Sequence, residues 1–323
     1  PRKFRPARSA WVSPNGILEF DYANKDAEMN EISPRMPYEK SSVEVNGQAM
    51  AYAEHGAGDP IVFLHGNATS SYMWRNIMPH MQGKGRMIAI DNIGQGDSAR
   101  LPNSGPGTYT LAEHQTYIDG TLAALGVTDN VTFVMHDWGG PLGITWAMRH
   151  AAAIKGLAYC ETLVSVHDSY DDYPNAVGDM LRRLRSPEGE QLVLEENFFV
   201  EKVFTAGVIR DVDEETMTEI RRPYKEVGEN RRATLTWPRQ IPIAGEPADV
   251  ARLTGELSTW MQTNGIPKLF INVEPGQIVF EDDLEILRSW TNHTEVVVRG
   301  LHHPQEDSPH DIGKALVDWY DAL

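Results

Sequence analysis

Apolar residues come in short runs separated by long intervals, and this pattern sets the architecture before any single residue does. Runs at 61–64, 86–90, 131–135, 156–160, 268–273 and 295–298 are rich in aliphatic and bulky side chains, as strands buried on both faces require. Helically spaced segments separate most of them, and that alternation marks a mainly parallel sheet covered by helices. Residues 42–45 and 48–53 flank Asn46-Gly47, the turn pair of a tight hairpin. Ser308, Pro309 and Asp311 read as the N-cap, first and third positions of a last helix. Two stretches break the alternation. Residues 1–40 are polar, with prolines and charges and no clear period, and read as an arm. Residues 164–242 hold helix-like segments at 174–185, 187–200 and 214–225 and a turn near Arg231, without good strands. The expected organisation is an arm (1–40), a first core part (41–163), an inserted helical cap (164–242) and a second core part (243–323).

The chemistry enters at His136-Asp137-Trp138-Gly139-Gly140, between an apolar run and a helical segment. A strand, a sharp glycine-bearing turn and a helix form a nucleophile elbow, which lifts one side chain above the sheet. That side chain is usually serine; here it is a carboxylate. An ionised carboxylate displaces a leaving group from saturated carbon and leaves an ester on the enzyme. Water must then cleave the ester at the carbonyl of Asp137, so a histidine base is still needed. Two backbone N–H groups, from the residue after the nucleophile and from the loop after an earlier strand, would hold the oxyanion. The positive end of the following helix favours the ionised form of Asp137. Asp137 as a plain N-cap is the structural alternative.

Two further segments favour chemistry. The run at 61–64 enters His65-Gly66-Asn67-Ala68, where a second oxyanion donor belongs. His65 reads as a buried turn histidine bonded to backbone. The Asn67 amide and the Trp138 indole N–H are donors able to grip a departing anion. The run at 295–298 leads to His302 and His303. A base in the last loop fits the chain order nucleophile, acid, histidine; His302 is preferred, and His303, held extended by Pro304, would line the site. Acids stand at two strand ends, Glu161 and Glu274.

Together these motifs resemble haloalkane dehalogenases. The likeness spans nearly the whole chain from about residue 35, with landmarks at 58–67, 72–79, 136–139, 197–201, 237–247, 300–302 and 305–307. It implies an α/β-hydrolase fold with a helical cap and hydrolysis of haloalkanes to alcohol, halide and proton. It also implies Asp137 as nucleophile, His302 as base, Glu161 as orienting acid, and Asn67 and Trp138 as the halide clamp. Neither metal nor organic cofactor is implied. Phe198, Phe199, Trp237, Pro238, Ile241 and Ile278 are candidates to line the substrate pocket. The chain departs from the family at Ala68, at Asn92, at His303-Pro304 and over 1–33, which bears on pocket shape and not on the reacting groups. Asn67-Ala68, 195–201 and 235–239 are also similar to coelenterazine luciferases of the sea-pansy type, which share the same five residues. Epoxide hydrolases attack saturated carbon with Asp too, but they need lid tyrosines, for which Tyr170, Tyr173 and Tyr224 are candidates.

Composition narrows this further. Hydrophobic residues make up 41% of the 323 positions, enough for a sizeable interior. The net charge of −17 argues against nucleic acid or an anionic membrane as partner. The one cysteine, Cys160, allows no internal disulfide and reads as a buried small hydrophobe. No apolar stretch reaches a membrane span and no secretory signal opens the chain, so the expected location is cytoplasmic. The expected partners are a small hydrophobic halogenated substrate and the halide ion.

Overall fold

The apolar runs fold as strands of one sheet. The computed structural model describes residues 10–12, 18–20 and 31–323. The strands are β1 (Ala10–Val12), β2 (Leu18–Phe20), β3 (Lys40–Val45), β4 (Gln48–His55), β5 (Pro60–Leu64), β6 (Arg86–Ile90), β7 (Val131–Asp137), β8 (Ile154–Thr162), β9 (Lys268–Pro275) and β10 (His293–Gly300). Their order is β1-β2-β10-β9-β8-β7-β5-β6-β4-β3. From β10 to β6 the pairs are parallel, and β4 and β3 close the far edge as the antiparallel Asn46-Gly47 hairpin. Every residue of β5 and β7 is buried, which is why those runs are uninterrupted and not alternating.

The α-helices are α1 (Leu111–Ala124), α2 (Gly139–Arg149), α3 (Asn175–Arg185), α4 (Glu214–Arg221), α5 (Arg232–Gln240), α6 (Ala248–Thr263), α7 (Glu281–Ser289), α8 (Pro304–Asp307) and α9 (Pro309–Tyr320). One apolar layer packs α1, α2, α6 and α7 on one face of the sheet. A second packs α9 and the segments around Trp74 and Met81 on the other face. The helices between β8 and β9 up to α5 have their own apolar cluster, which reaches the core at Ala68 and Tyr72.

Several local expectations change. Residues 187–200 are not one α-helix: wide, π-helical turns at Glu190–Glu195 and Phe199–Phe204 are separated by Asn197 in the left-handed region (φ 55°). Where only a turn near Arg231 was expected, α5 forms and carries Pro238 inside it. Ser308 stands at the N-cap of α9, with Pro309 and Asp311 in the first turn, but its side chain makes no capping bond. Its φ of −137° and ψ of 47° turn the hydroxyl away, and it donates to the Arg299 carbonyl at 2.7 Å, tying the helix start to β10. The reading of 1–40 as an arm falls mostly outside the described residues; its last part is held to the core where Asn76 Nδ2 donates to the Ser33 carbonyl (3.0 Å).

Candidate active site

The strand order reverses between β5 and β7: the chain runs from β5 outward to β6, then returns to β7 on the other side of β5. Loops at such a switch point diverge and leave a crevice at the carboxyl ends of the strands. Asn67 follows β5 and Asp137 ends β7, so the two flank the crevice. Asp137 sits in the left-handed region, φ 51°, a strained conformation for a residue with a Cβ. The surroundings permit it because glycines clear the space. A Cβ on Gly66 would run into the Asp137 carboxylate, and one on Gly139 into the Leu64 carbonyl. Thr162 Oγ1 pins the turn by donating to the Asp137 carbonyl at 2.8 Å.

The carboxylate accepts the backbone N–H of Asn67 at 2.7 Å and also that of Trp138, one donor from each loop. Full burial lifts the Asp137 carboxyl above the ordinary carboxylate range; His302 and the two N–H groups pull it down without cancelling that rise. The N–H groups of the two loops favour the ionised form, and desolvation sets the direction of the net shift.

His302, after β10, directs Nδ1 at Glu161 Oε2, 3.4 Å away. Glu161, at the end of β8 with φ 40°, accepts from the backbone N–H groups of Gln277 (3.1 Å) and Ile278 (3.0 Å) on the same oxygen. Glu274 is exposed; the geometry joins His302 to Glu161. Burial favours a neutral His302 ring, but the Glu161 bond and the Asp137 charge outweigh it, and the ring titrates above its ordinary value. Behind it, His136 Nε2 donates to the His302 carbonyl at 2.6 Å. His136 was not singled out in the sequence, although its place beside Asp137 was a signal. Its ring is buried and held neutral.

The Asn67 amide is fixed by an unusual anchor. Asn67 Nδ2 donates to the Thr234 carbonyl (3.1 Å). In α5 that carbonyl would accept the N–H of residue 238, which is proline and has none. Pro238 thus frees the acceptor that positions Asn67. The Trp138 indole is held by stacking: its ring centroid lies 4.6 Å from that of Trp237, which stacks in turn on His114 at 4.0 Å.

Asn67, Asp137, Trp138 and His302 open into one cavity of about 110 Å³, whose wall includes Phe199, Pro238, Ile241 and Ile278. Phe198 and Trp237 do not line it; Trp237 is fully buried behind Trp138. His303 also stays out of the wall, because its ring is buried against Phe204 and His136. Of the three candidate lid tyrosines only Tyr173 lines the cavity. His65 is the buried turn histidine expected: Nδ1 bonds the Gly66 carbonyl (2.8 Å), Nε2 accepts from Asn92 (2.9 Å), and burial pulls its pKa down to about 4. Cys160 is buried, and its thiol is pushed far up by burial. Among the described residues, one group has ligand-like spacing for a metal ion: ring nitrogens of His136, His302 and His303 within 4.8 Å of one another. His136 Nε2 already bonds the His302 carbonyl, and a metal on His302 would remove a base.

Residues 59–309 match the family model for the alpha/beta hydrolase fold. A haloalkane dehalogenase of Sphingobium indicum is 49% identical over 278 residues, spanning 86% of this chain and 94% of that one. One of Mycolicibacterium smegmatis is 48% identical, spanning 85% and 89%. A coelenterazine h 2-monooxygenase of Renilla reniformis is 37% identical, spanning 84% and 86%. The crystal structure of haloalkane dehalogenase DbeA from Bradyrhizobium elkani superposes with a TM-score of 0.83 at 33% identity, over 88% of this chain and 98% of that one.

Proposed function

The chain belongs to the haloalkane dehalogenases, hydrolases of the α/β-hydrolase fold that act on carbon–halide bonds, and from that premise we propose how its own residues carry the reaction. A haloalkane enters the cavity and a carboxylate oxygen of Asp137 attacks the carbon bearing the halogen from behind. The carbon–halogen bond breaks with its electron pair, giving halide and an alkyl ester on Asp137. The Asn67 amide and the Trp138 indole donate N–H bonds to the departing ion, where charge develops. His302 then takes a proton from water as the water oxygen bonds the ester carbonyl carbon. The backbone N–H groups of Asn67 and Trp138, already bonded to the carboxylate, hold the tetrahedral oxyanion. Collapse releases the alcohol and restores the carboxylate, for a balance of haloalkane plus water giving alcohol, halide and proton. Glu161 orients His302 and offsets its charge. Residues 164–242 act as a cap that excludes bulk water and so strengthens the N–H contacts to the anion.

The observation that carries this reading is the Asp137 carboxylate gripped by one N–H from each loop beside His302. The test is a halide-release assay with 1,2-dibromoethane and 1-iodohexane. Wild type should release halide and Asp137→Ala should not, a loss of at least about 10⁴-fold. His302→Ala should release one halide per chain and gain the alkyl mass on Asp137. Turnover in Asp137→Ala, or no mass gain in His302→Ala, defeats the assignment. Because of the 37% identity to a coelenterazine monooxygenase, luminescence with coelenterazine is measured alongside. The largely aliphatic wall, with Leu163, Val177, Met180 and Leu181, favours haloalkanes.

A further inference from the structure

The cavity wall carries a second polar cluster that neither attack on carbon nor ester hydrolysis uses. Asp283, near the start of α7, lines the same cavity and is only 3% exposed. Its carboxylate accepts the Ser165 hydroxyl and, at 2.9 Å, the backbone N–H of Phe280. Ser165 Oγ also lies 3.2 Å from His167 Nε2. With the single hydroxyl proton given to Asp283, the ring nitrogen is the donor in that pair. The His167 ring packs against Tyr173 at 4.3 Å, and Ser165, His167 and Tyr173 all line the cavity. Ser165 therefore links this cluster to one buried carboxylate, donating to Asp283 and accepting from His167.

Among the described residues no lysine or arginine pairs with Asp283. Arg185, whose charge reaches Tyr173, is hydrogen-bonded to the carbonyls of Pro238, Arg239, Ile241 and Glu246. A buried unpaired charge is costly unless something satisfies it, and a carboxylate has room for about four hydrogen bonds, of which the protein supplies two. Capping α7 takes one oxygen, Oδ2 on the Phe280 N–H, while Oδ1 bonds Ser165, which itself lines the cavity.

We propose that Asp283, with Ser165, His167 and Tyr173, forms a subsite for a hydrogen-bond donor at the end of the substrate away from the halogen. The substrates it selects are haloalkanes that also carry an ammonium or hydroxyl group. This rests on the dehalogenase reading above and adds a substrate class to it; no bond is made or broken at the subsite.

The experiment measures kcat/KM by bromide release for 1-bromoalkanes, ω-bromoalcohols and ω-bromoalkylammonium ions of four, six and eight carbons. At the chain length that spans the cavity, wild type should prefer a donor-bearing substrate over its bromoalkane by about tenfold. The ammonium and hydroxyl arms separate charge from simple donation. Asp283→Asn and Ser165→Ala should bring that ratio near one, while 1-bromohexane turnover stays within about twofold of wild type. A wild-type ratio of one or less at every length overturns the proposal, as does a ratio that both variants leave unchanged. Circular dichroism monitors folding. If Asp283→Asn does not fold, the wild-type ratios and Ser165→Ala decide the matter. No bromide from 1-bromohexane in wild type defeats the dehalogenase reading itself, whereas bromide release without donor preference defeats only this subsite.

Discussion

The two sides of the cavity are built by different rules. On the strand-end side, backbone groups fix both carboxylates and the buried His136: Asn67 and Trp138 N–H on Asp137, Gln277 and Ile278 N–H on Glu161, the His302 carbonyl on His136. On the helical side, Phe199, Val203, Pro238 and Ile241 present apolar surface from wide π-helical turns and a proline-bearing helix. Backbone donors hold geometry without side-chain entropy to lose, which suits atoms that must meet within tenths of an ångström. Apolar packing tolerates changes of shape at modest cost, which suits substrate choice. Substitutions on the strand-end side should therefore change the rates of particular steps, and substitutions on the helical side should change which substrate is preferred.

The largest effect that separates the two is Glu161→Gln. It removes the charge facing His302 but keeps an acceptor for Gln277 and Ile278. Alkylation of Asp137 should survive, while hydrolysis of the ester slows on the order of 10³-fold. Rapid-quench mass spectrometry should find the ester accumulating. Equal slowing of both steps would remove Glu161 from its role as a partner of His302 alone.

Next in size is the Asn67 clamp, which straddles the comparison because its anchor lies on the helical side. Asn67→Ala should slow halide expulsion by about 10²-fold and weaken halide binding, read as quenching of tryptophan fluorescence. Pro238→Ala returns an N–H to α5 and offers the Thr234 carbonyl its helical partner again. Halide affinity should then fall by a smaller factor, about threefold to tenfold. Undiminished affinity in Pro238→Ala would show that Asn67 does not need that carbonyl.

The pH dependence is of similar size. Asp137 must be ionised to attack, and His302 must be neutral to take a proton. Both titrate above their ordinary values, so each requirement fails on the acid side. The kcat should fall on the acid side, by up to about tenfold per pH unit, as His302 takes up the proton that bars it from ester hydrolysis. In the free enzyme the two groups are coupled and titrate as a pair. A rate that is flat down to pH 5 contradicts the assignment.

The same division explains what was legible in the sequence. Asp137 and Asn67 stand in local patterns, apolar run then glycine turn, so the strand-end side was readable from short segments. His302 was chosen over His303 by position alone, and the structure gives the reason: His303 packs against Phe204 while His302 opens to the cavity. Glu161 was harder. An acid ending a strand has no local mark, and only the parallel neighbours β7, β8 and β9 bring it within reach of a loop 141 residues away. The helical side was the least legible. Apolar residues there obey no period that separates cavity wall from core, so Trp237 and Phe198 looked as eligible as Pro238 and Ile241. Pro238 stood only among the pocket candidates, yet α5 continues through it and the freed carbonyl is used by Asn67. Asp283, Ser165 and His167 belong to no motif, because they meet only when the β8 loop reaches α7.

Ile278 belongs to both sides and gives the smallest but sharpest test. Its N–H bonds Glu161 Oε2 at 3.0 Å while its side chain lines the cavity. Ile278→Ala keeps the N–H and removes three carbons from the wall. Hydrolysis of the ester should keep its wild-type rate, and the ratio of kcat/KM for 1-bromohexane to that for 1-bromopropane should shift by about threefold to tenfold. Ile278→Pro removes the N–H, so the ester step should slow as well, by about tenfold, the cost of one charge-assisted hydrogen bond. If the alanine variant slows ester hydrolysis as much as the proline variant does, the side chain supports Glu161 and the two sides are not separable at this residue. If neither variant shifts chain-length preference, Ile278 does not shape the wall, and the selectivity assigned to the apolar surface must come from Phe199 and Ile241.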